Sequence, residues 1–281
     1  MDMKYIIGII VAIIVIVGAY FVLAGGSGQE KITIVGSTSV QPVAEKLATE
    51  YMKTNPNVKI TVQGGGSAVG IKSAEDGTAS IGTSSKSLKA NESTGLTQYE
   101  IGKDGIAIIV NNNNALSGLT VEQVKGILSG NITNWKEVGG ADAQINVIVR
   151  EDGSGTRDAV QEIVLGKLAN GTKVAFVKSA IVQSSTEAVQ QAVAQDPNAV
   201  GFISFASVNS TKALQINNVA PSEATILDGT YKIQRPFLFL VKGDPKGAVK
   251  SFIDWVNGPE GQAIIKSDKV VPTGKQVNST S

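Results

Sequence analysis

Residues 145–160 read INVIVREDGSGTRDAV, a short apolar run followed by a turn rich in glycine and hydroxyl side chains. Residues 145–149 have the composition of a buried β-strand, and the apolar positions after the turn have helical spacing. Those positions are Val160, Ile163, Val164 and Leu168. A strand, a turn and a helix in this order form the repeating unit of α/β proteins, so this stretch predicts that class.

The same order of strand and helix recurs on both sides of this stretch. Strand-like runs occupy residues 31–35, 58–62, 106–110, 200–205 and 237–241. Helices are predicted to begin at Pro42, to cover residues 67–76, and to run from a capping box at 184–187 to about Gln195. The alternation predicts an α/β protein with largely parallel sheets.

Two further strand-to-helix turns share the composition of residues 150–157. Val35-Gly36-Ser37-Thr38-Ser39 precedes the helix at Pro42, and Gln63-Gly64-Gly65-Gly66-Ser67 precedes the helix at 67–76. Glycine lets backbone N–H groups approach a ligand closely, and the first N–H groups of a helix lack partners within it, so such turns can bind anions. Serine and threonine are also ordinary helix caps, which explains any one of these turns without a ligand. Three of them in one chain favour an anion site.

Arginine is concentrated at the third turn. The chain has 25 basic residues, of which only Arg150, Arg157 and Arg235 are arginine, and two of these flank the turn at 153–156. A guanidinium binds a tetrahedral oxyanion through two parallel hydrogen bonds, which a lysine cannot do. Arg150, at the end of the strand, is therefore the stronger candidate for an anion ligand, whereas Arg157 is also explained as a surface residue of the helix.

The composition excludes several classes of function. The 281 residues include no histidine and no cysteine, which excludes Ser-His-Asp and Cys-His catalysis, zinc fingers and iron–sulfur clusters. We therefore expect no catalytic residues and no cofactor. Metal binding through carboxylates alone stays open, but no EF-hand pattern appears, so no metal site is expected. The net charge of +1 gives no field for a polyanion, so nucleic acid is not expected as a partner.

The N-terminal segment has the character of a membrane signal. Residues 5–24 carry no charge and follow Lys4, and a run of this length can span a bilayer as a helix. We expect an uncleaved anchor, with the rest of the chain outside the cell membrane. The alternative is a signal peptide cleaved after Ala24, which would release a secreted protein. Residues 25–28 then form a short flexible linker.

The chain resembles the family of phosphate-binding proteins of phosphate ABC importers, which are periplasmic-type solute-binding proteins. The resemblance runs from about residue 30 to the C-terminus and is carried by motifs at residues 34–42, 64–71, 150–157, 199–203, 235–237, 252–255 and 258–262. It implies a two-lobe periplasmic-binding-protein-like fold of type II, closing on a desolvated anion. Lobe 1 would comprise residues 29–110 and 236–281, and lobe 2 residues 111–235, after an N-terminal segment at 1–28. Two crossover strands, near residues 106–110 and 235–240, would join the lobes.

The resemblance also implies a set of phosphate ligands. They are Thr38 and Ser39 from the first turn, Ser67 from the second, and Arg150, Ser154, Gly155 and Thr156 from the third. Asp152 is expected to orient Arg150 by pairing with it. The family usually carries an aspartate in the segment that matches residues 79–82, where this chain has Ser80. Ser80 is therefore the eighth expected ligand. A carboxylate at this position would reject sulfate, which has no proton to give it, so a serine here predicts weaker or shifted selectivity.

The expected partners follow from the same resemblance. They are inorganic phosphate, the subunits of an ABC permease, and the membrane through the N-terminal helix, with the protein itself a monomer. Two alternatives stay open: a receptor for another tetrahedral oxyanion, and a surface anion-binding or adhesion protein on the same fold. An enzyme that processes oxyanions is disfavoured because the chain lacks histidine and a Gly-x-Ser-x-Gly elbow.

Overall fold

The computed structural model describes residues 29–277. Its strands are β1 (Glu30–Gly36), β2 (Val58–Gly64), β3 (Ile81–Ser84), β4 (Leu96–Val110), β5 (Gly118–Leu119), β6 (Asn146–Arg150), β7 (Ile181–Gln183), β8 (Ala199–Ser204), β9 (Lys212–Ala213), β10 (Gln215–Ile216), β11 (Gln234–Lys242) and β12 (Val271–Val277). Its α-helices are α1 (Gln41–Thr54), α2 (Ser67–Asp76), α3 (Ala90–Ser93), α4 (Val121–Ser129), α5 (Gly155–Val160), α6 (Thr186–Gln195), α7 (Glu223–Leu227), α8 (Gly247–Asn257) and α9 (Pro259–Ser267). Short 3-10 turns lie at Trp135–Val138 and Phe205–Ser207, and a π-helical turn lies at Gln161–Leu165. The α/β class is as predicted.

Most of the strands belong to one mixed sheet, in the order β2-β1-β3-β11-β4-β8-β6-β7, with β12 and β9 also paired to β4. β1 pairs in parallel with β2 and β3, and β6 pairs in parallel with β7 and β8. β4 and β11 pair antiparallel with each other and with their other neighbours. The prediction of largely parallel sheets is therefore wrong, because β4 and β11 run in opposite directions through the middle of the sheet.

Strand β4 joins two hydrophobic cores. Its first part pairs with β11 and β12, and Ile101 packs in a core with Leu47 of α1 and Phe239 of β11. Residues 106–110 pair with β8 and β9, and Ile106 packs in a second core with Phe202. The chain thus passes from one core to the other between residues 101 and 106.

The helices that precede the site form for local reasons. Pro42 occupies the first turn of α1, where its missing N–H costs nothing, and the buried side chains of that helix recur at helical spacing. Helix α2 covers the predicted residues 67–76. Helix α6 begins one residue later than the predicted capping box, because the Ser185 hydroxyl, rather than that of Ser184, accepts the cap hydrogen bond from Ala188 N–H.

The helix after the third turn is shorter than its apolar spacing predicts. α5 ends at Val160, and the backbone continues as one π-helical turn to Leu165. Leu168 lies beyond that turn and is exposed. Gly166, with a φ of 66°, follows the turn directly and ends the helical path.

No helix within residues 29–277 is long and apolar enough to cross a membrane. The predicted anchor or signal helix at residues 5–24 lies outside the described part of the chain.

Candidate anion-binding site

The three predicted turns meet at one place. The Ser39 hydroxyl oxygen, before α1, lies 3.0 Å from the Thr156 hydroxyl oxygen in α5. The Ala68 N–H in α2 donates to the Gly153 carbonyl in the third turn, at 3.0 Å. A side chain at Gly155 would clash with the Ser67 hydroxyl, so glycine is what allows this approach.

A fourth helix N-terminus joins the cluster and was missed by the sequence analysis. Thr186, the first residue of α6, places its hydroxyl oxygen 3.0 Å from that of Ser39 and 3.2 Å from that of Thr38. Its backbone N–H donates to the Thr38 hydroxyl at 3.3 Å. The run of hydroxyl residues at 184–186 could have indicated this part of the site, but a capping box accounts for such a run without a ligand.

The hydroxyl groups of this cluster are removed from solvent. Most of them are buried: Ser37, Ser39, Ser67, Ser85, Ser154, Thr156 and Thr186. Buried polar groups need partners. Here they find them largely in one another, across the meeting point of two segments that are distant in sequence.

Arg150 ends β6 inside this cluster with 2% of its surface exposed. Its Nε and Nη2 atoms donate to the two carboxylate oxygens of Glu151 at 2.8 and 2.7 Å, and its Nη1 donates to the Thr186 hydroxyl at 3.2 Å. The expectation that Asp152 pairs with Arg150 is wrong. Asp152 is exposed and pairs with Arg157, because its side chain lies on the outer side of the turn.

A second guanidinium, that of Arg235, reaches the same cluster and was not among the predicted ligands. Arg235 lies in β11 and is 4% exposed; its Nε and Nη2 donate to the Asp104 carboxylate in β4 at 3.2 and 3.1 Å. Its Nη1 donates to the Thr156 hydroxyl at 2.5 Å. Burial raises the pKa of the Asp104 carboxyl, an effect that Arg235 opposes, and burial lowers the pKa of Arg235, an effect that Asp104 opposes. The guanidinium remains charged, as arginine does in proteins.

Ser80 is not brought to the cluster. It precedes β3, and its hydroxyl accepts a hydrogen bond from Thr33 N–H in the neighbouring strand β1. The cluster lies beyond the other end of β3, where Ser85 Oγ accepts from Ser37 at 2.9 Å. Five residues of extended chain span roughly 16 Å, so Ser80 and Ser85 cannot serve one small anion. The expectation that Ser80 contacts the ligand is corrected accordingly.

The Lys86 side chain is buried beside the cluster, with 7% of the residue exposed. Its ammonium group lies 2.8 Å from Glu92 in α3 and 2.8 Å from Asp158 in α5. Burial by itself would lower the pKa of Lys86, but the hydrogen bonds to Asp158 and Glu92 raise it overall. The pair with Asp158 joins the segment after β3 to the segment after β6.

A cavity of about 290 Å³ adjoins the cluster. Its wall includes Thr38, Thr186, Pro42 of α1 and Lys269. Within residues 29–277 no group of metal-ligating side chains is assembled. Buried hydroxyls, a glycine N–H and guanidinium groups are donors, so the arrangement suits an oxyanion.

The chain is similar in sequence to a known family of proteins. Residues 23–260 match the model of the PBP superfamily domain. The phosphate-binding protein PstS of Bacillus subtilis is 31% identical over 251 residues, which cover 86% of this chain and 81% of that protein. The chain belongs to the PBP superfamily and to its PstS family.

Solved structures of related proteins have the same fold. A substrate-binding protein from Clostridium perfringens, crystallised with bound phosphate, is 40% identical with a TM-score of 0.82, and the match covers 87% of this chain and 100% of that one. An ABC-type phosphate transport receptor from Vibrio cholerae is 35% identical with a TM-score of 0.71, again over 87% of this chain and all of the other. The expected periplasmic-binding-protein-like fold is confirmed.

Proposed function

We propose that this protein is an extracytoplasmic solute-binding protein that captures inorganic phosphate and delivers it to an ABC permease. The observation that carries the proposal is the convergence of three glycine- and hydroxyl-rich turns on the buried guanidinium of Arg150. The names of the PstS relatives and the phosphate bound in the Clostridium perfringens structure support phosphate as the ligand.

The proposed ligands are seven of the eight residues expected from the sequence. They are Thr38, Ser39, Ser67, Arg150, Ser154, Gly155 and Thr156. Hydroxyl and backbone N–H groups would replace the hydration shell of the anion, and Arg150 would offset part of its charge. No step of bond making or breaking is needed, which supports a binding protein over an enzyme.

Capture would occur between two lobes. The two hydrophobic cores support a division in which β4 and β11 cross from one lobe to the other near residues 102–105 and 234–236. Residues 106–110, expected to be a crossover at the end of lobe 1, would then belong to lobe 2, because Ile106, Ile108 and Val110 pack in the second core. Contacts such as Ser39–Thr156 and Ala68–Gly153 would then be contacts between lobes, made when the cleft closes. A closed, loaded form is a signal that a permease can distinguish from an open one. The N-terminal segment would keep the protein at the membrane, or release it if cleaved, and one monomer would suffice for capture.

Titration calorimetry of the purified protein with phosphate, arsenate, sulfate, molybdate and tungstate tests this function. We expect a phosphate Kd of about 1 μM or lower, since a closed and desolvated site should reach at least about 8 kcal/mol. Preferential binding of molybdate or tungstate would favour a receptor for another tetrahedral oxyanion. Absence of binding by every anion would favour an adhesion role and contradict the proposal.

A further inference from the structure

Arg235 contacts the hydroxyl cluster from a rigid position. Its Nε and Nη2 hydrogens are taken by the carboxylate of Asp104, which is fully buried and also accepts from the Ser204 hydroxyl at 2.8 Å. This anchoring leaves Nη1 to face the cluster. Nη1 donates to the Thr156 hydroxyl at 2.5 Å and, at 3.2 Å, to both the hydroxyl and the carbonyl oxygen of Ser85.

The direction of these hydrogen bonds is fixed because a guanidinium has no acceptor. The oxygens of Thr156 and Ser85 must accept from Arg235, so their hydroxyl hydrogens point away from it. Ser85 Oγ accepts a second hydrogen bond, from Ser37, at 2.9 Å. Both lone pairs of Ser85 are then occupied, and the only hydrogen-bonding capacity left to its side chain is to donate.

The Arg150 guanidinium also donates to a hydroxyl group of the cluster. Arg150 Nη1 donates to the Thr186 hydroxyl at 3.2 Å, which turns that hydrogen away from the arginine. The arginines thus reduce what these hydroxyls can accept: both lone pairs of Ser85 are occupied, whereas Thr156 and Thr186 each have one lone pair occupied by an arginine hydrogen.

We infer that Arg235 is a positioning residue that takes up acceptor capacity of the Thr156 and Ser85 hydroxyls and so makes the site select HPO₄²⁻ over H₂PO₄⁻. The monoanion carries one more O–H group, which needs an acceptor in the desolvated site, and a buried O–H without an acceptor weakens binding. Because Arg235 acts on the proposed phosphate site, this role rests on the proposed function.

Three pairs of charged groups surround the cluster. Facing it are Arg235 with Asp104, Arg150 with Glu151, and Lys86 in its ion pair with Asp158. Any titration of these groups would act on every anion, whereas sulfate keeps its charge throughout. The ratio of phosphate to sulfate affinity therefore isolates the protonation state of the ligand.

The test measures phosphate and sulfate affinities of the full chain by calorimetry at about pH 5 and about pH 8, on either side of the second ionisation of phosphate, which has a pKa of about 6 in phosphorylated side chains. For the wild-type protein we expect the phosphate-to-sulfate affinity ratio to rise by about tenfold or more between these pH values. Arg235→Lys cannot contact Asp104, Thr156 and Ser85 at once, so in this variant the phosphate-to-sulfate affinity ratio should increase by less than about threefold between the two pH values. The double variant Asp104→Asn/Arg235→Gln replaces the buried ion pair with two neutral side chains and should behave like Arg235→Lys. It serves as the test if Arg235→Lys does not fold.

Tyr231→Phe is the matched control. Tyr231 is buried beside the same two strands and donates to the Ile106 carbonyl at 2.8 Å, so its loss lowers the melting temperature without touching the cluster hydroxyls. This variant should keep the wild-type pH dependence. An unchanged pH dependence in both Arg235 variants, or a flat ratio in the wild-type protein, overturns the role of Arg235. Failure of the wild-type protein to bind phosphate at either pH instead overturns the proposed function.

Discussion

At the scale of single residues, Arg150 shows how the site balances burial against charge. A guanidinium that is 2% exposed must be paired, and Glu151 pairs with it through two hydrogen bonds. The pairing uses Nε and Nη2 and leaves Nη1 toward the hydroxyls. Glu151 thus fixes the orientation of the arginine while one face of the guanidinium remains directed at the proposed anion.

Arg150→Ala should weaken phosphate binding by at least about 2–3 kcal/mol, or roughly 30- to 150-fold, because a desolvated anion loses its charged partner. Calorimetry of the variant measures the loss. Arg157→Ala is the comparison variant. The Arg157 guanidinium stacks on Phe176, pairs with the exposed Asp152 and donates to the Arg150 carbonyl at 2.8 Å, so its loss removes support for the turn but leaves the Arg150 charge in place. The phosphate affinity of this variant should stay within about threefold of wild type. An Arg150→Ala protein that binds phosphate like the wild type would place the anion elsewhere.

Ser80→Ala should leave the affinities for phosphate and sulfate unchanged within about twofold. The Ser80 hydroxyl accepts only a backbone hydrogen bond from Thr33 at the far end of β3, so its removal should cost about 1 kcal/mol of stability at most. Anion titrations and a thermal melt of the same sample separate the two effects. Any change in the sulfate-to-phosphate preference would show that Ser80 reaches the site after all.

At the scale of elements, the turns were predictable because their chemistry is local. Glycine and hydroxyl residues directly before a helix are a short sequence pattern that predicts an anion-binding turn. The segments around Thr38, Ser67 and Ser154 were found from this pattern. Arg235 and Asp104 were not, because they meet only through the pairing of β4 with β11, at a separation of 131 residues. Ser80 was expected to be a ligand because the family usually carries an aspartate in the matching segment, and the sequence does not show at which end of β3 the site lies.

The ion pair between Lys86 and Asp158 joins the elements that follow β3 and β6, whereas the pair of the same lysine with Glu92 stays within one segment. Asp158→Asn should therefore weaken phosphate binding by about two- to fivefold, the effect of about 0.5–1 kcal/mol expected for a partly exposed pair. Glu92→Gln is the matched control and should leave the affinity unchanged. Equal losses of affinity in both variants would argue against a contact made on closure.

The same control variant carries a pH prediction. The hydrogen bonds from Lys86 and from the backbone of Lys89 outweigh burial and lower the pKa of Glu92. A carboxyl whose pKa is lowered by folding stabilises the folded state at any pH above its pKa in the unfolded state. This stabilisation is lost as the pH falls through its pKa in the folded state. Urea unfolding should show Glu92→Gln less stable than the wild type at about pH 7 and equal to it at about pH 2. A difference that persists unchanged in acid would assign the effect to packing instead.

At the scale of the whole molecule, the fold was predicted in class but not in sheet direction. Alternating strands and helices indicate α/β whichever way the strands run, and they do not reveal two long strands that cross between cores. β4 and β11 are those strands, and the pair Arg235–Asp104 bridges them. This buried ion pair therefore lies on the two strands that would connect the proposed lobes.

Because the proposed ligands come from both sides of that crossing, bound phosphate should stabilise the molecule as a unit. At a free phosphate concentration 1,000 times Kd the gain is about 4.1 kcal/mol, which corresponds to a rise in Tm of roughly 8–16 °C for a chain of this size. Differential scanning calorimetry with and without phosphate measures the shift. With phosphate the two halves should unfold in one transition, since both are needed to hold the anion. Arg150→Ala should show a much smaller shift at the same phosphate concentration. A ligand-induced rise confined to one of two separate transitions would mean that the anion is held by one half alone, and the contacts Ser39–Thr156 and Lys86–Asp158 would then have no part in capture.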